Sequence, residues 1–143
     1  MSQDVPSVPP FSESSARHAT RLAEAAWNTR DPDLVVLGYA PDALWRDRGQ
    51  TLSGRDAIRA YLERKWRHEL HQRTAMALSS HTVNRISVRV QSEWQHSRTG
   101  QWYRTSGTEH WEYDDSGLIQ KRDANPDDEP IGAGDRSIGV PRA

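Results

Sequence analysis

Small apolar residues recur at helical spacing early in the chain. Ala16, Ala19, Leu22, Ala23, Ala26 and Trp27 form one stripe. Ser12 stands where an N-cap belongs, and Asn28-Thr29-Arg30 ends the run. Asp31-Pro32 reads as the N-cap and first residue of a second, short helix. That helix buries Leu34, Val35 and Leu37 and closes at Gly38. Pro41-Asp42 turns the chain into a strand over 43–48, and Gly49-Gln50 leads into a short return strand at 51–52. A third helix starts at Ser53 or Gly54 and runs to about Leu70, with Ile58, Tyr61, Leu62, Lys65, Trp66 and Leu70 on one side. Beyond it the period changes from helical to alternating. Strands are predicted over 72–80, 85–96, 101–114 and 117–125, joined by short connections that suit antiparallel neighbours. Residues 1–11 read as a flexible arm ending at Phe11. Residues 126–143, rich in Pro and Gly, read as a tail after a domain ending near 131, so truncation after Ala133 should barely change the melting temperature. Helices first and a meander second predict an α+β domain, with helices on one face of a curved antiparallel sheet.

Charge and apolarity set the register of the long hairpin. A four-residue loop at Ser97–Gly100 puts Glu93 opposite Arg104 and Arg85 opposite Glu112, both favourable cross-strand pairs. The other face then collects Ile86, Val88, Val90, Trp94, Tyr103, Gly107, Trp111 and Tyr113, with Glu109 as its only carboxylate. In the last hairpin Trp111 is expected to meet Gln120 and Glu109 to meet Arg122. A polar cluster of Glu109, Gln120 and Arg122 thus lies on the covered face, ringed by Trp111, Trp94 and Val88. On the first strand Trp45 should point inward and carry Asp47 in with it, leaving Leu44, Arg46 and Arg48 on the other side.

Composition narrows the function. Leu, Ile, Val and Phe are scarce while six Trp are present, which suggests a cavity with aromatic walls. The absence of Cys excludes disulfides, thiol catalysis and Cys-based zinc sites. A net charge of −1 gives no basic excess for nucleic acid. No apolar run approaches the ~18 residues of a membrane span, and no secretory leader is seen, so a cytoplasmic protein with neither membrane nor nucleic-acid partners is expected. His68-x-x-His71 has ligand spacing but lacks a third ligand, and no phosphate or dinucleotide motif occurs, so neither metal nor cofactor is expected.

Several blocks together carry a family resemblance. They are Ala26-Trp27-Asn28-Thr29-Arg30-Asp31-Pro32, Trp45-Arg46-Asp47-Arg48, Leu52-Ser53-Gly54-Arg55, Asn84-Arg85-Ile86-Ser87-Val88-Arg89 and Gly107-Thr108-Glu109-His110-Trp111-Glu112-Tyr113. Over about residues 11–131 the chain resembles the nuclear-transport-factor-2-like superfamily, near its polyketide-cyclase and ketosteroid-isomerase-like branch and within a largely uncharacterised bacterial subgroup. The resemblance implies a cone-shaped curved antiparallel sheet wrapped around three helices, often as a homodimer. The alternating charges of Arg85, Arg89, Glu93, Arg104 and Glu112 on the outer face suit such a dimer. It also implies that an inward Asp on the first strand, here Asp47, serves as a base, although Asn is common there in the subgroup. The family's dehydratase-type histidines are not matched, since His110 falls on the outer face.

The expected function is therefore a cofactor-independent acid–base enzyme catalysing dehydration, cyclisation or isomerisation. Asp47 is its base, and Glu109 is the acid or the base's partner. Arg122, Gln120, Trp45, Trp111, Trp94 and Trp27 would bind a small polar metabolite, and aromatic faces beside carboxylates would suit a cationic or planar one. The alternative is a non-catalytic small-molecule-binding or accessory protein, which would hold both carboxylates in ion pairs.

Overall fold

The computed structural model describes residues 8–139. Helix α1 (Glu13–Asn28) opens with a capping box in which Ser12 and Ser15 satisfy each other's backbone N–H groups. α2 (Pro32–Val35) starts at Pro32 with Asp31 accepting from the Asp33 N–H, and α3 spans Arg55–His68. The strands are β1 (Tyr39–Asp47), β2 (Gln50–Ser53), β3 (Glu69–His81), β4 (Arg85–His96), β5 (Trp102–Tyr113), β6 (Ile119–Ala124) and β7 (Asp127–Ile131). They form one curved sheet in the order β2-β1-β6-β5-β4-β3, with β7 added to β5. The sheet does not close, and the helices fill its concave side.

The sheet is mixed rather than purely antiparallel, because β6 lies beside β1 and runs parallel to it. The β4/β5 register is the expected one, with Arg85 opposite Glu112 and Glu93 opposite Arg104. The β5/β6 register is displaced by two residues: Glu109 faces Ala124, and Arg122 faces Trp111. The cause is the turn before β6. Asp114 accepts from the N–H groups of both Ser116 and Leu118, so the turn takes in Leu118 and the strand begins at Ile119. A two-residue displacement keeps inward residues inward.

Other boundaries move for local reasons. β1 begins at Tyr39 and passes straight through Pro41-Asp42, both exposed, where its pairing with β6 is irregular. α3 ends at His68, and the chain enters β3 through an irregular step at Leu70–Arg73, with His71 in the left-handed region at φ 57°. Strand β7 replaces the front of the expected tail. Its Pro130 is tolerated because β7 pairs on one side only. Edge strand β3 is guarded by α1: Asn28 exchanges two hydrogen bonds with the Thr74 backbone, and Glu24 accepts from the Met76 N–H.

The termini also correct the expectation. Phe11 is buried edge-on against Tyr113 and donates its N–H to the Val83 carbonyl; the arm's residues 1–7 lie outside the described residues. Residues 132–139 pack on the convex face instead of hanging free. Glu93 accepts the N–H groups of Ser137 at 2.9 Å and Ile138 at 2.8 Å, while Arg104 binds Glu93 at 2.7 Å and the Asp135 carbonyl at 2.7 Å. Arg136 lies over Trp102, 4.4 Å from the ring centre. Glu93, expected among the open charges of the outer face, is thus buried. The remainder of the predicted tail, 140–143, lies outside the described residues.

Candidate functional site

Alternation brings three charged side chains to the concave face: Asp47 from the end of β1, Glu109 from β5 and Arg122 from β6, all buried. Arg122 joins them. Its Nε and Nη2 donate to the two oxygens of Glu109 at 2.9 and 2.8 Å, and its Nη1 donates to Asp47 Oδ2 at 3.0 Å. The guanidinium rests on aromatic faces, 4.3 Å from the Trp45 ring centre and 5.2 Å from that of Trp27. Burial alone would lower the Arg122 pKa, but the Glu109 charge and the other anionic neighbours outweigh it and raise it further, so Arg122 is a permanent cation.

The two carboxylates are treated differently. Glu109 is saturated, since its Oε1 also accepts Trp111 Nε1 at 3.0 Å. Asp47 has Oδ2 anchored, whereas Oδ1 has no hydrogen-bond partner among the described residues. The nearest cation to Oδ1 is Arg48, whose Nε is 3.6 Å away and whose two Nη atoms are committed to Asp128 at 3.0 Å each.

These three residues line a narrow cavity of about 40 Å³. Trp27 and Tyr61 form aromatic wall, and Thr74, Ser92 and Thr105 contribute hydroxyls. The hydroxyls are fixed from behind: Trp66 Nε1 donates to Gln72, Gln72 donates to Thr74, and Thr74 shares a 2.9 Å bond with Ser92. Arg48, Lys65, Asn125 and Pro126 are also in the lining. Pro126 comes so close to β5 that a Cβ on Gly107 would lie 3.1 Å from its Cα. Burial chiefly, then the Asp47 charge, pushes the Tyr61 phenol up to about 12, so it carries its proton at neutral pH.

Of the residues singled out in the sequence, Asp47, Glu109, Arg122 and Trp27 meet at the cavity. Trp45 lies beneath Arg122, and Trp111 braces Glu109 from outside the cavity. Trp94 stacks on Tyr103 and reaches the site only by donating to Thr105. Gln120 does not join the cluster: the irregular β5/β6 pairing turns its amide to Glu112. Tyr61, Arg48, Lys65, Ser92 and Thr105 were not anticipated. Tyr61 and Lys65 left a trace, as side chains with a polar tip on the buried side of α3.

Among the described residues, no helix is long and apolar enough to cross a membrane, and no three His, Asp or Glu side chains group as metal ligands. No curated protein matches the chain. Solved structures do resemble it. An epoxide hydrolase/cyclase-like enzyme, SalBIII, of pyran ring formation in salinomycin superposes with a TM-score of 0.71 at 15% identity, over 80% of this chain and 92% of that one. A Catenulispora acidiphila protein of ketosteroid isomerase-like fold, in complex with trimethylamine, gives 0.68 at 13%, over 74% and 82%. RV0760c from Mycobacterium tuberculosis, in complex with estradiol-17beta-hemisuccinate, gives 0.66 at 13%, over 76% and 91%. At these identities the likeness shows the fold, and a fold hosts many chemistries. Residues 9–139 match the family described as "Protein of unknown function (DUF1348)", and the chain belongs to that family, which is part of the nuclear-transport-factor-2-like fold family.

Proposed function

We propose that the chain is a cofactor-independent acid–base enzyme acting on a small polar molecule, with Asp47 as general base. The observation that carries this reading is the asymmetry of Asp47: Arg122 aims the carboxylate through Oδ2, and Oδ1 keeps its lone pairs unengaged. Oδ1 takes a proton from a substrate carbon or hydroxyl, and the protonated Tyr61 phenol donates to the oxygen on which negative charge develops. Isomerisation, dehydration and cyclisation differ only in where the electron pair then goes. Glu109 is the anchor of Arg122 and not the acid, because its two oxygens already accept three donors.

Size and charge limit the substrate. At roughly 10–15 Å³ per water-sized site, the cavity holds about three such groups, which suits a small metabolite or the buried end of a larger one. Asp47 and Glu109 against Arg122 leave one negative charge in excess. Lys65 and Arg48 are each neutralised by their own carboxylates, Glu69 and Asp128. A neutral or cationic substrate fits this balance and the Trp27 face, and the trimethylamine bound by one structural neighbour is consistent with it.

A second reading, a binding protein without turnover, draws on one fact: both carboxylates are paired with Arg122. The test is to incubate the protein with a polar metabolite extract in D2O and follow products and deuterium uptake by mass spectrometry. Asp47→Asn should retain the fold and lower turnover by ~10²–10⁴-fold. A compound that binds the wild type yet shows neither conversion nor exchange assigns the chain to the second reading.

A further inference from the structure

The turn that follows the base is unusual. Arg48 and Gly49 join β1 to β2 with Asp47 opposite Gln50, and both have left-handed backbones, φ 54° and 77°. This is the geometry of a tight hairpin turn, whose first position favours Asn, Asp or Gly; a long side chain gains nothing from that backbone. The Arg48 side chain explains its presence. It reaches across to β7 and forms a two-pronged ion pair with Asp128, at 3.0 Å on each prong. That orientation leaves Nε facing Asp47 Oδ1 at 3.6 Å, short of a hydrogen bond.

Asp128 is not free to follow Arg48 inward. Its Oδ1 accepts Thr105 Oγ1 at 2.5 Å, and Thr105 accepts Trp94 Nε1 at 2.8 Å. Its backbone pairs with Thr105 in β5. Burial opposes its charge, but the bonds from Arg48 and Thr105 outweigh burial and hold the carboxyl below the usual range. The charged and titratable groups around Asp47 are Arg122 on β6, Glu109 on β5, the buried Tyr39 on β1, Tyr61 and Lys65 on α3, and the Arg48–Asp128 pair. Arg122 is fully engaged, and Lys65 is held by Glu69 at 2.8 Å. Arg48 is therefore the cation able to cap Oδ1, and Asp128 is the group that competes for it.

We propose that Asp128 is a positioning residue: it holds the Arg48 guanidinium off Asp47 Oδ1 and so keeps the oxygen of the base free. The proposal rests on the reading of Asp47 as a base, but its physical core does not need turnover. Without Asp128, the guanidinium closes the gap to the ~2.8 Å of a charged hydrogen bond. The 3.6 Å ion pair then becomes a hydrogen bond, and the lone pairs of Oδ1 are blocked.

The test is an NMR titration of the Asp47 side-chain carboxyl in the wild type, D128N, R48M and R48M/D128N. Asn is isosteric and a third of the Asp128 side chain is exposed, so the fold is retained. D128N should lower the proton affinity of Asp47 severalfold, because the guanidinium moves from 3.6 Å into hydrogen-bond contact with Oδ1. In the R48M background the same substitution should have almost no effect. D128E, which keeps the charge, should restore most of the wild-type affinity and supplies the comparison if D128N does not fold. An unchanged titration in D128N, an equal fall in both backgrounds, or no difference between D128E and D128N each overturns the proposal. Should Asp47→Asn leave turnover intact, the catalytic reading fails, while this titration still decides what Asp128 does.

Discussion

Glu93→Gln is expected to destabilise the protein strongly at neutral pH and hardly at all in acid. The Glu93 side chain is 2% exposed and accepts from Arg104, Ser137 and Ile138. Gln keeps one acceptor and gains an NH2 that must face N–H donors, and it leaves Arg104 without its counter-charge. Removing one partner of a buried pair costs ~3–5 kcal/mol. The Arg104 side chain is 23% exposed and stays partly hydrated, so the lower end applies, about 3 kcal/mol. At roughly 3 °C per kcal/mol for a chain of this size, the melting temperature falls by about 9 °C. The pH dependence follows from the folded state. Burial would raise the Glu93 pKa, but the Ile138 and Ser137 N–H groups and Arg104 outweigh it and hold the carboxyl below its usual value. A group depressed in the folded state stabilises above its unfolded value, about 4.3, and loses that contribution as pH falls through the lower folded value. The gap between wild type and variant should therefore be full at neutral pH and narrow progressively in acid. Thermal melts across pH measure it. A melting temperature unchanged at neutral pH, or a gap that persists undiminished in strong acid, would refute the reasoning.

Truncation after Ala133 removes two hydrogen bonds to the Glu93 carboxylate, the Arg104 bond to the Asp135 carbonyl and the Arg136–Trp102 contact, offset by the freedom regained by the segment; a net loss of about 1–2 kcal/mol and a fall of about 3–6 °C are expected in the same melts. Arg122→Met should cost ~3–5 kcal/mol in denaturant unfolding, because two buried carboxylates lose their common cation, and adding Asp47→Asn and Glu109→Gln should recover most of it.

The concave side of the site was legible because strand alternation is a two-state code: Trp45 fixed the face of β1, and the charge pairs and apolar residues fixed that of the long hairpin. Asp47 and Glu109 followed from that, and Arg122 from an expected pairing with Glu109 that proved two residues off in register but right in face. The β4/β5 register was legible because opposite charges mark it twice. Alternation carries no information about which non-sequential strands become neighbours, so the parallel β1/β6 pairing was invisible. It also fails where a ladder is irregular: the β5/β6 pairing skips Gln120 between Ile119 and Lys121, and its side chain turns to Glu112 on the other face. Arg48 was assigned outward by the same rule, yet it stands where the strand ends and a left-handed turn re-aims the side chain. β7 and the docked tail were hidden by composition. Prolines and acidic residues read as loop, and what binds them is a buried carboxylate and a guanidinium on other strands.

The Asp47–Arg122–Glu109 cluster is poorly explained by stability alone. A buried ion cluster is often matched or bettered by apolar side chains of similar volume, because desolvation offsets much of the attraction. Here the surroundings are already aromatic, so such a replacement would meet ready-made packing from Trp27, Trp45 and Trp111. The cluster is also unbalanced, with one guanidinium shared by two carboxylates and one Asp47 oxygen left without a bond. A residue serving only the fold would lose least by satisfying that oxygen, and Arg48 stands 3.6 Å away to do so. Instead the chain places Arg48 in a strained turn and draws it off with a carboxylate from another strand. Unpaired buried acceptors persist where the surrounding structure over-determines them, and they concentrate at sites that do chemistry. The bond that is not made between Arg48 and Asp47 is therefore the feature of this site that most favours a proton acceptor over a passive pocket.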